Sequence, residues 1–181
     1  MKQLGLDPAK LVFIDETWAK TNMTRLRGRA PRGERLVAKV PHGHWKTTTL
    51  IAALDHNGMR CAMTVDGAVN SDVFIAFVEK VLSKSLTPGD VVVMDNLSSH
   101  KGQRVKQLIE TVGASVLYLP PYSPDLNPIE MAFSKFKQLM RSAAYRTVGA
   151  IWQNMQSILQ QITASDAAAF IRHCGYTLQG K

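Results

Sequence analysis

Residues 91–119 read VVVMDNLSSHKGQRVKQLIETVGASVLYL, an order that alternates apolar runs with an amphipathic stretch. Val91–Met94 is a short apolar run of the kind that forms a buried strand. A helix is predicted over about residues 101–112, with Gly113 as its C-terminal cap, and residues 116–119 form the next strand. This strand–helix–strand order indicates an α/β fold.

The sequence on both sides extends this pattern. Further strands and one helix are predicted on the N-terminal side, at residues 11–14, 45–54, 59–65 and 70–86. A hairpin-type turn joins the second and third strands at residues 55–58, and Asn70 or Ser71 caps the helix. On the C-terminal side, a Pro-rich loop precedes two or three helical pieces. The whole chain, 1–181, is predicted to be a single α/β domain.

The charge balance points towards a polyanionic partner. The 181 residues include 22 Lys and Arg against 14 Asp and Glu, a formal net charge of +8, which favours attraction to nucleic acid. A basic protein whose charge serves only solubility is the alternative. No apolar run approaches the roughly 18 residues of a membrane span, and no secretory signal is visible. The two cysteines form no metal-binding or disulfide pattern, so a cytoplasmic, nucleoid-associated protein is expected.

Basic residues are concentrated in two segments. The first holds eight basic residues and one acid, Glu34, a formal +7, and its Gly and Pro content predicts a mobile loop or a hairpin. Its basic residues are Lys20, Arg25, Arg27, Arg29, Arg32, Arg35, Lys39 and Lys46. The second segment follows Glu130 on a predicted helix and contains Lys135, Lys137, Arg141 and Arg146. We expect both to contact DNA phosphates; two solvated protein surfaces are the alternative.

Three acids occupy positions typical of an active site. Asp15 and Asp95 each close an apolar strand, and Glu130 opens the helix after the Pro-rich loop. The carboxyl ends of neighbouring strands meet at one edge of an open α/β sheet, where such folds bind their ligands. Three converging carboxylates repel one another unless a cation lies between them, and oxygen ligands suit Mg²⁺ or Mn²⁺. The pattern therefore predicts a divalent-metal site.

Each acid also has a purely structural explanation. Asp15 and Asp95 fit turn residues that accept hydrogen bonds from nearby backbone N–H groups. Glu130 stands three residues after Asn127, with Pro128 at the first helical position, and so fits a capping box. Capping does not explain why both apolar strands end in aspartate.

Three sequence blocks resemble the signature of DDE transposases. They are IDET at residues 14–17, VMDN at residues 93–96 with a histidine at position 100, and LPPYSPDLNPIE at residues 119–130. The similarity is greatest to the mariner-like superfamily, in its bacterial insertion-sequence branch. Asp95 and Glu130 are separated by 34 residues, which is this family's characteristic spacing.

The resemblance implies an RNase H-like fold, a mixed five-stranded sheet flanked by helices. It implies that Asp15, Asp95 and Glu130 are catalytic and hold two Mg²⁺ ions, for which Mn²⁺ can substitute. The reaction it implies is nicking of transposon ends, followed by joining of the 3′-hydroxyl to target DNA. Asn96 and His100 recur in the resembled motif, which gives them a supporting or DNA-facing role.

Aromatic and acidic neighbours of these motifs receive weaker expectations. By strand alternation Glu16 points to the face opposite Asp15. Trp18 and Tyr122 are expected to anchor loops, with packing against frayed DNA ends as the alternative.

The partners that the family implies are transposon-end and target DNA, in a homodimer or larger synaptic assembly. Such transposases carry an N-terminal helix-turn-helix region, and nothing of that kind precedes residue 11. The chain is therefore expected to be an isolated catalytic domain, one product of a split frame with a separate helix-turn-helix subunit, or a remnant.

Two other functions remain open on the sequence alone. A truncated or domesticated fragment would bind DNA without catalysis. A phosphatase-like hydrolase would use Asp15 as nucleophile, but such enzymes have a second Asp two residues on, where this sequence has Thr17.

Overall fold

A mixed five-stranded sheet forms the centre of the molecule, in a computed structural model that describes residues 6–97 and 100–177. Its strands are β1 (Leu11–Lys20), β2 (Thr47–Asp55), β3 (Gly58–Asp66), β4 (Val91–Met94) and β5 (Ser115–Tyr118). Their order across the sheet is β3-β2-β1-β4-β5. The first three strands form an antiparallel meander, whereas β4 and β5 run parallel to β1. The predicted mixed sheet is confirmed.

Helices cover both faces of this sheet. They are α1 (Ser71–Phe77), α2 (Ser83–Ser85), α3 (Gln103–Thr111), α4 (Pro128–Ala143), α5 (Val148–Leu159) and α6 (Ala164–His173). A π-helical turn, Val78–Leu82, joins α1 to α2, so the helix predicted over residues 70–86 is present but not uniformly α-helical. The Asn70 side chain caps α1 by accepting from the Val73 N–H, as predicted. Within the described ranges, no helix is long and apolar enough to cross a membrane.

Alternation along the strands divides the core into two layers. Phe13 and Val93 point towards α4, α5 and α6 and pack with Phe133. Val12 and Ile14, on either side of Phe13 in the strand, belong to the other layer, with the side chains of α1 and α3. Because side chains alternate along a strand, neighbouring positions of β1 serve opposite faces. This alternation decides which partners each polar residue at the end of the apolar run can reach.

The first strand is longer than predicted. The apolar run ends at Asp15, but β1 continues to Lys20, so the prediction that Asp15 closes this strand is wrong. Residues 13–20 pair antiparallel with residues 47–54 of β2, and this pairing continues the strand past the apolar run. Pairing with β4 stops at Phe13, which is aligned with Val93. Asp15 therefore lies where β1 extends beyond the end of β4.

The basic segment between β1 and β2 is an irregular excursion of residues 21–46. Thr21 and Lys46 close its base by hydrogen bonds in both directions. The Arg146 guanidinium donates to the Met23 carbonyl oxygen at 2.7 Å, tying the start of the excursion to the connection between α4 and α5. A loop rather than a hairpin is thus present, and its basic side chains from Arg25 to Lys39 are exposed.

Candidate active site

The three predicted acids line one cavity at the carboxyl end of β4. Asp15 comes from β1, Asp95 follows the last residue of β4, and Glu130 lies in the first turn of α4. The cavity has a volume of about 350 Å³, and the Pro-rich loop forms its opposite wall. Asp15 and Asp95 are 80 positions apart in sequence, and Asp95 and Glu130 are 35 positions apart, yet all three line the same cavity.

Asp15 is held in position by two hydrogen bonds. The Glu16 N–H donates to its Oδ1 at 2.7 Å, and the Asn127 side-chain amide donates to its Oδ2 at 2.8 Å. Burial, reinforced by the negative charges of Glu130 and Asp95, raises the pKa of Asp15 to about 7. The carboxylates of Glu130 and Asp95 are thus close enough to disfavour ionisation of Asp15. A divalent cation between the three acids would reduce this repulsion.

Asp95 has a different environment, dominated by His100. The His100 Nδ1 lies 2.5 Å from Asp95 Oδ1, and the Leu97 N–H donates to the same oxygen at 3.2 Å. Burial alone would raise the pKa of Asp95, but the hydrogen bonds from His100 and Leu97 outweigh it and lower that pKa. The Leu97 contact is the turn interaction considered for this residue, and it coexists with the cavity position.

His100 is fully buried between two carboxylates. Its Nε2 lies 3.3 Å from Glu16 Oε1, and its ring stacks on Phe74 with centroids 4.1 Å apart. Burial lowers the pKa of this imidazole, but the hydrogen bonds to Asp95 and Glu16 outweigh burial and raise it to about 9. The protonated ring therefore donates from both nitrogens at neutral pH. Glu16 points to the face of β1 opposite Asp15, as predicted, and its carboxylate contacts His100 on that face.

Glu130 does not form the capping box considered from sequence. Its backbone N–H donates to the Asn127 carbonyl oxygen, but the Asn127 side chain caps nothing and bonds Asp15 instead. The Oδ1 atom of Asn127 is buried and has no hydrogen-bond partner among the described residues. An unsatisfied buried oxygen beside three carboxylates is suited to a cation or to its bound water.

This donor set fits a hard divalent cation by its chemistry. Carboxylate and amide oxygens are the ligands that Mg²⁺ and Mn²⁺ prefer. In the described part of the chain, however, no three acidic, histidine or cysteine side chains are gathered closely enough to bind one ion together. Hydrogen bonds hold Asp15 towards Asn127 and Asp95 towards His100. Binding of one ion by all three acids therefore requires their side chains to come closer together.

The sequence itself assigns this site to a family. A family model described as DDE superfamily endonuclease matches residues 10–152, which include all three acids. The chain belongs to the DDE superfamily of endonucleases. No curated protein matches its sequence significantly.

Solved structures similar to this DDE superfamily chain include several of the Mos1 mariner transposase. A paired-end complex with the left transposon end is 20% identical, with a TM-score of 0.72 over 92% of this chain and 52% of that one. The paired-end complex with Mg has a TM-score of 0.75, 20% identity and the same coverage. The isolated Mos1 catalytic domain gives 0.65 at 17% identity, covering 92% and 78%. The chain has the RNase H-like fold and spans about half the length of Mos1 transposase.

The basic residues predicted to bind DNA do not share one environment. Arg25, Arg27, Arg29, Arg32, Arg35 and Lys39 lie exposed in the excursion. Lys20 and Lys137 both lie against the indole of Trp18, and Arg141 is partly exposed on α4. Lys135 is instead paired with Asp166, in the first turn of α6, at 2.6 Å. Among the predicted supporting residues, Asn96 lines the cavity, whereas His100 is hydrogen-bonded to Asp95.

Two polar partners of the acids are not apparent from the sequence. The local sequence predicts helix capping for Asn127, yet its side-chain amide donates to Asp15, 112 positions away. Strand alternation places Glu16 on the face away from Asp15, and there its carboxylate lies 3.3 Å from the Nε2 of His100. The available signal was the histidine five residues after Asp95, since a buried imidazole needs a partner for each ring nitrogen.

Proposed function

We propose that this chain is the catalytic part of a mariner-like transposase of the bacterial insertion-sequence branch. It would nick DNA at transposon ends and join the freed 3′-hydroxyl to target DNA. The observation that carries this proposal is the convergence of Asp15, Asp95 and Glu130 on one cavity. The 34-residue spacing between the last two supports the same branch.

The three carboxylates would hold two Mg²⁺ ions, for which Mn²⁺ can substitute. When bound, such ions lower the pKa of a water or a DNA 3′-hydroxyl and stabilise the leaving oxygen. Mos1 structures solved with Mg and with Mn support this assignment by similarity of fold. No covalent protein–DNA intermediate is needed, so no Ser or Tyr nucleophile is assigned.

The surrounding residues would keep these ligands charged and oriented. His100 stabilises the ionised form of Asp95 and fixes one of its oxygens, while Glu16 holds the imidazolium from the other side. Asn127 fixes one oxygen of Asp15, and the Glu16 N–H fixes the other. Asn96, in the cavity wall, is available to the substrate.

DNA would approach over the basic segments beside the cavity. The excursion carries most of the formal charge, and its exposed arginines and lysines suit phosphate contacts that do not read sequence. We exclude Lys135 from this surface because Asp166 occupies its ammonium group. As in the expectation from sequence, residues 1–181 would act as one catalytic domain in a homodimer or larger synaptic assembly. Recognition of transposon ends would come from a helix-turn-helix region or subunit outside it.

The direct test is nicking of a plasmid or end-containing duplex by purified protein with Mg²⁺ or Mn²⁺. Asp95→Asn should abolish nicking, while the matched control Asp72→Asn, at an exposed position in α1, should not. Unchanged nicking by the Asp95 variant would refute the assignment.

Titration calorimetry with Mn²⁺ is a second test that needs no DNA. Glu130→Gln should lower the affinity for Mn²⁺, because it removes one charged ligand. A wild-type protein that binds Mn²⁺ and DNA but never nicks would instead support the DNA-binding fragment without catalysis.

A further inference from the structure

The C-terminal end of α6 turns one aromatic side chain back into the core. Gly175 follows the helix with a φ of 86°, in the left-handed region that glycine adopts without steric cost. The Tyr176 N–H donates to the Ile171 carbonyl oxygen at 3.1 Å. The Gly175 N–H donates to the Arg172 carbonyl oxygen at 3.0 Å, which completes a Schellman motif and fixes the direction in which the chain leaves α6. Tyr176 thereby enters the core layer covered by α4, α5 and α6, where only 4% of its surface is exposed.

Tyr176 contacts both the strand and the loop that lead to the candidate site. Its ring packs edge-on against Phe13 of β1, with centroids 4.9 Å apart, and its hydroxyl donates to the Leu126 carbonyl oxygen at 2.8 Å. Phe13 is two residues before Asp15, so the two side chains lie on the same face of β1. Leu126 directly precedes Asn127, whose amide donates to Asp15. Tyr176 therefore connects the two sides of the hydrogen bond between Asn127 and Asp15.

The turn that Tyr176 holds belongs to the wall of the acidic cavity. It consists of residues Pro124–Leu126, and α4 begins two residues later at Pro128, with Glu130 in its first turn. Among the described residues, the Tyr176 hydroxyl is the one hydrogen-bond donor to the Leu126 carbonyl oxygen. A cavity of about 390 Å³ lies between this turn and the end of α6, so the turn has room to move. Without the hydroxyl, a shift of the turn that lets water reach this carbonyl would be favourable, because an unpaired polar group is costly.

We propose that Tyr176 is a positioning residue, which holds the turn before Asn127 and Glu130 at a fixed distance from Asp15. This inference rests on the proposed function, since it concerns the arrangement of the acids that would hold the metal. The three acids must come closer together to bind one ion, so a shift of the turn that leads to Glu130 alters metal affinity. Tyr176 lies beyond residues 10–152, which the family model matches, so the three-acid motif does not include this contact.

The test compares Tyr176→Phe, which removes the hydroxyl and keeps the ring, with the matched control Thr48→Val. The control removes the acceptor of another aromatic hydrogen bond, from the Trp152 indole N–H to Thr48 Oγ1 at 3.2 Å, and neither of these residues lines the acidic cavity. Titration calorimetry should show an affinity for Mn²⁺ about 2- to 12-fold lower in Tyr176→Phe, the range of one net hydrogen bond, and unchanged in Thr48→Val. Nicking by Tyr176→Phe should be slower at low Mn²⁺ and recover at saturating Mn²⁺, since the defect is in metal binding.

Amide hydrogen exchange in EDTA is a second readout, which needs neither metal nor DNA. Residues 119–130 should exchange faster in Tyr176→Phe than in the wild type, while residues 58–66 of β3 should exchange alike in both. Faster exchange confined to this loop would show that the hydroxyl holds the turn in place.

Three results would overturn the inference. They are unchanged exchange in residues 119–130, unchanged affinity for Mn²⁺ in a wild type that binds it, and equal losses in Tyr176→Phe and Thr48→Val, which would reflect stability alone. If the wild type binds no Mn²⁺ and nicks no DNA, the proposed function fails. The exchange of residues 119–130 then decides by itself whether Tyr176 positions the turn.

Discussion

The carboxyl group of Asp15 should destabilise the metal-free protein at neutral pH. Burial and the charges of Glu130 and Asp95 raise its pKa to about 7, from an ordinary value of 3.8. Between these values the folded protein keeps a proton that the unfolded chain has released. The stability that this group contributes is therefore full below about pH 4 and is lost as the pH rises through about 7. The difference between the two pKa values corresponds to about 4 kcal/mol.

Replacing the charge by Asp15→Asn should recover part of this energy. Asp15 is partly exposed, so water screens some of the penalty. The amide has one oxygen where the carboxylate has two, so one of the bonds from Glu16 and Asn127 is lost, at a cost of about 1 kcal/mol. We expect the free energy of unfolding to rise by about 1–3 kcal/mol at pH 8, or roughly 2–10 °C in Tm. At pH 4 we expect no gain.

Urea denaturation in EDTA at pH 4, 6 and 8 measures this directly, with Asp72→Asn as an exposed control. Mn²⁺ should then stabilise the wild type more than the Asp15 variant, because a ligand bound to the folded state raises its stability. A variant that is less stable than the wild type at pH 8, or equally affected at pH 4 and 8, would show that the three acids do not repel as described.

Three further outcomes are expected. Arg60→Met should lower the free energy of unfolding by about 3 kcal/mol, because it removes the guanidinium group that lies 2.9 Å from the buried carboxylate of Asp90. Arg104→Met, which removes one partner of an exposed ion pair, should change the free energy of unfolding by less than about 1 kcal/mol. Urea denaturation compares the two variants. Because the pKa of His100 is raised to about 9, its stabilising contribution is full below about pH 6.5 and is lost as the pH rises through 9. In the His100→Gln variant, the free energy of unfolding should therefore decline less between pH 7.5 and pH 9.5 than in the wild type. Lys39→Gln should weaken binding to all DNA sequences alike and reduce the slope of log affinity against log salt by about 0.9, and an unchanged slope would remove this residue from the DNA interface.

Local patterns were sufficient to predict the elements that carry the site. The apolar runs before Asp15 and Asp95, and the prolines before Glu130, are short-range features. The mixed five-stranded sheet was implied only by the family resemblance. The length of β1 was not predictable in this way, because its second half is held by pairing with β2 across a long excursion.

Side-chain partners were harder to foresee than elements. The contact between Asn127 and Asp15 joins residues 112 positions apart, and that between Glu16 and His100 joins residues 84 apart. The sequence alone offers each residue a local description, a helix cap for Asn127 and a position on the face opposite Asp15 for Glu16. Only the three-dimensional arrangement shows that the local role is not the one adopted.

The irregular excursion has an entropic consequence for the whole domain. Closing its 26 residues between β1 and β2 costs only about 2 kcal/mol more than closing the two-residue turn between β2 and β3, because loop entropy grows with the logarithm of length. Doubling its length would add about 0.6 kcal/mol. The register of β1 on β2 is fixed by buried side chains, so the position of Asp15 does not depend on how long the excursion is. Length and composition there can vary at little cost, and the reach of the basic excursion can be adjusted without moving Asp15.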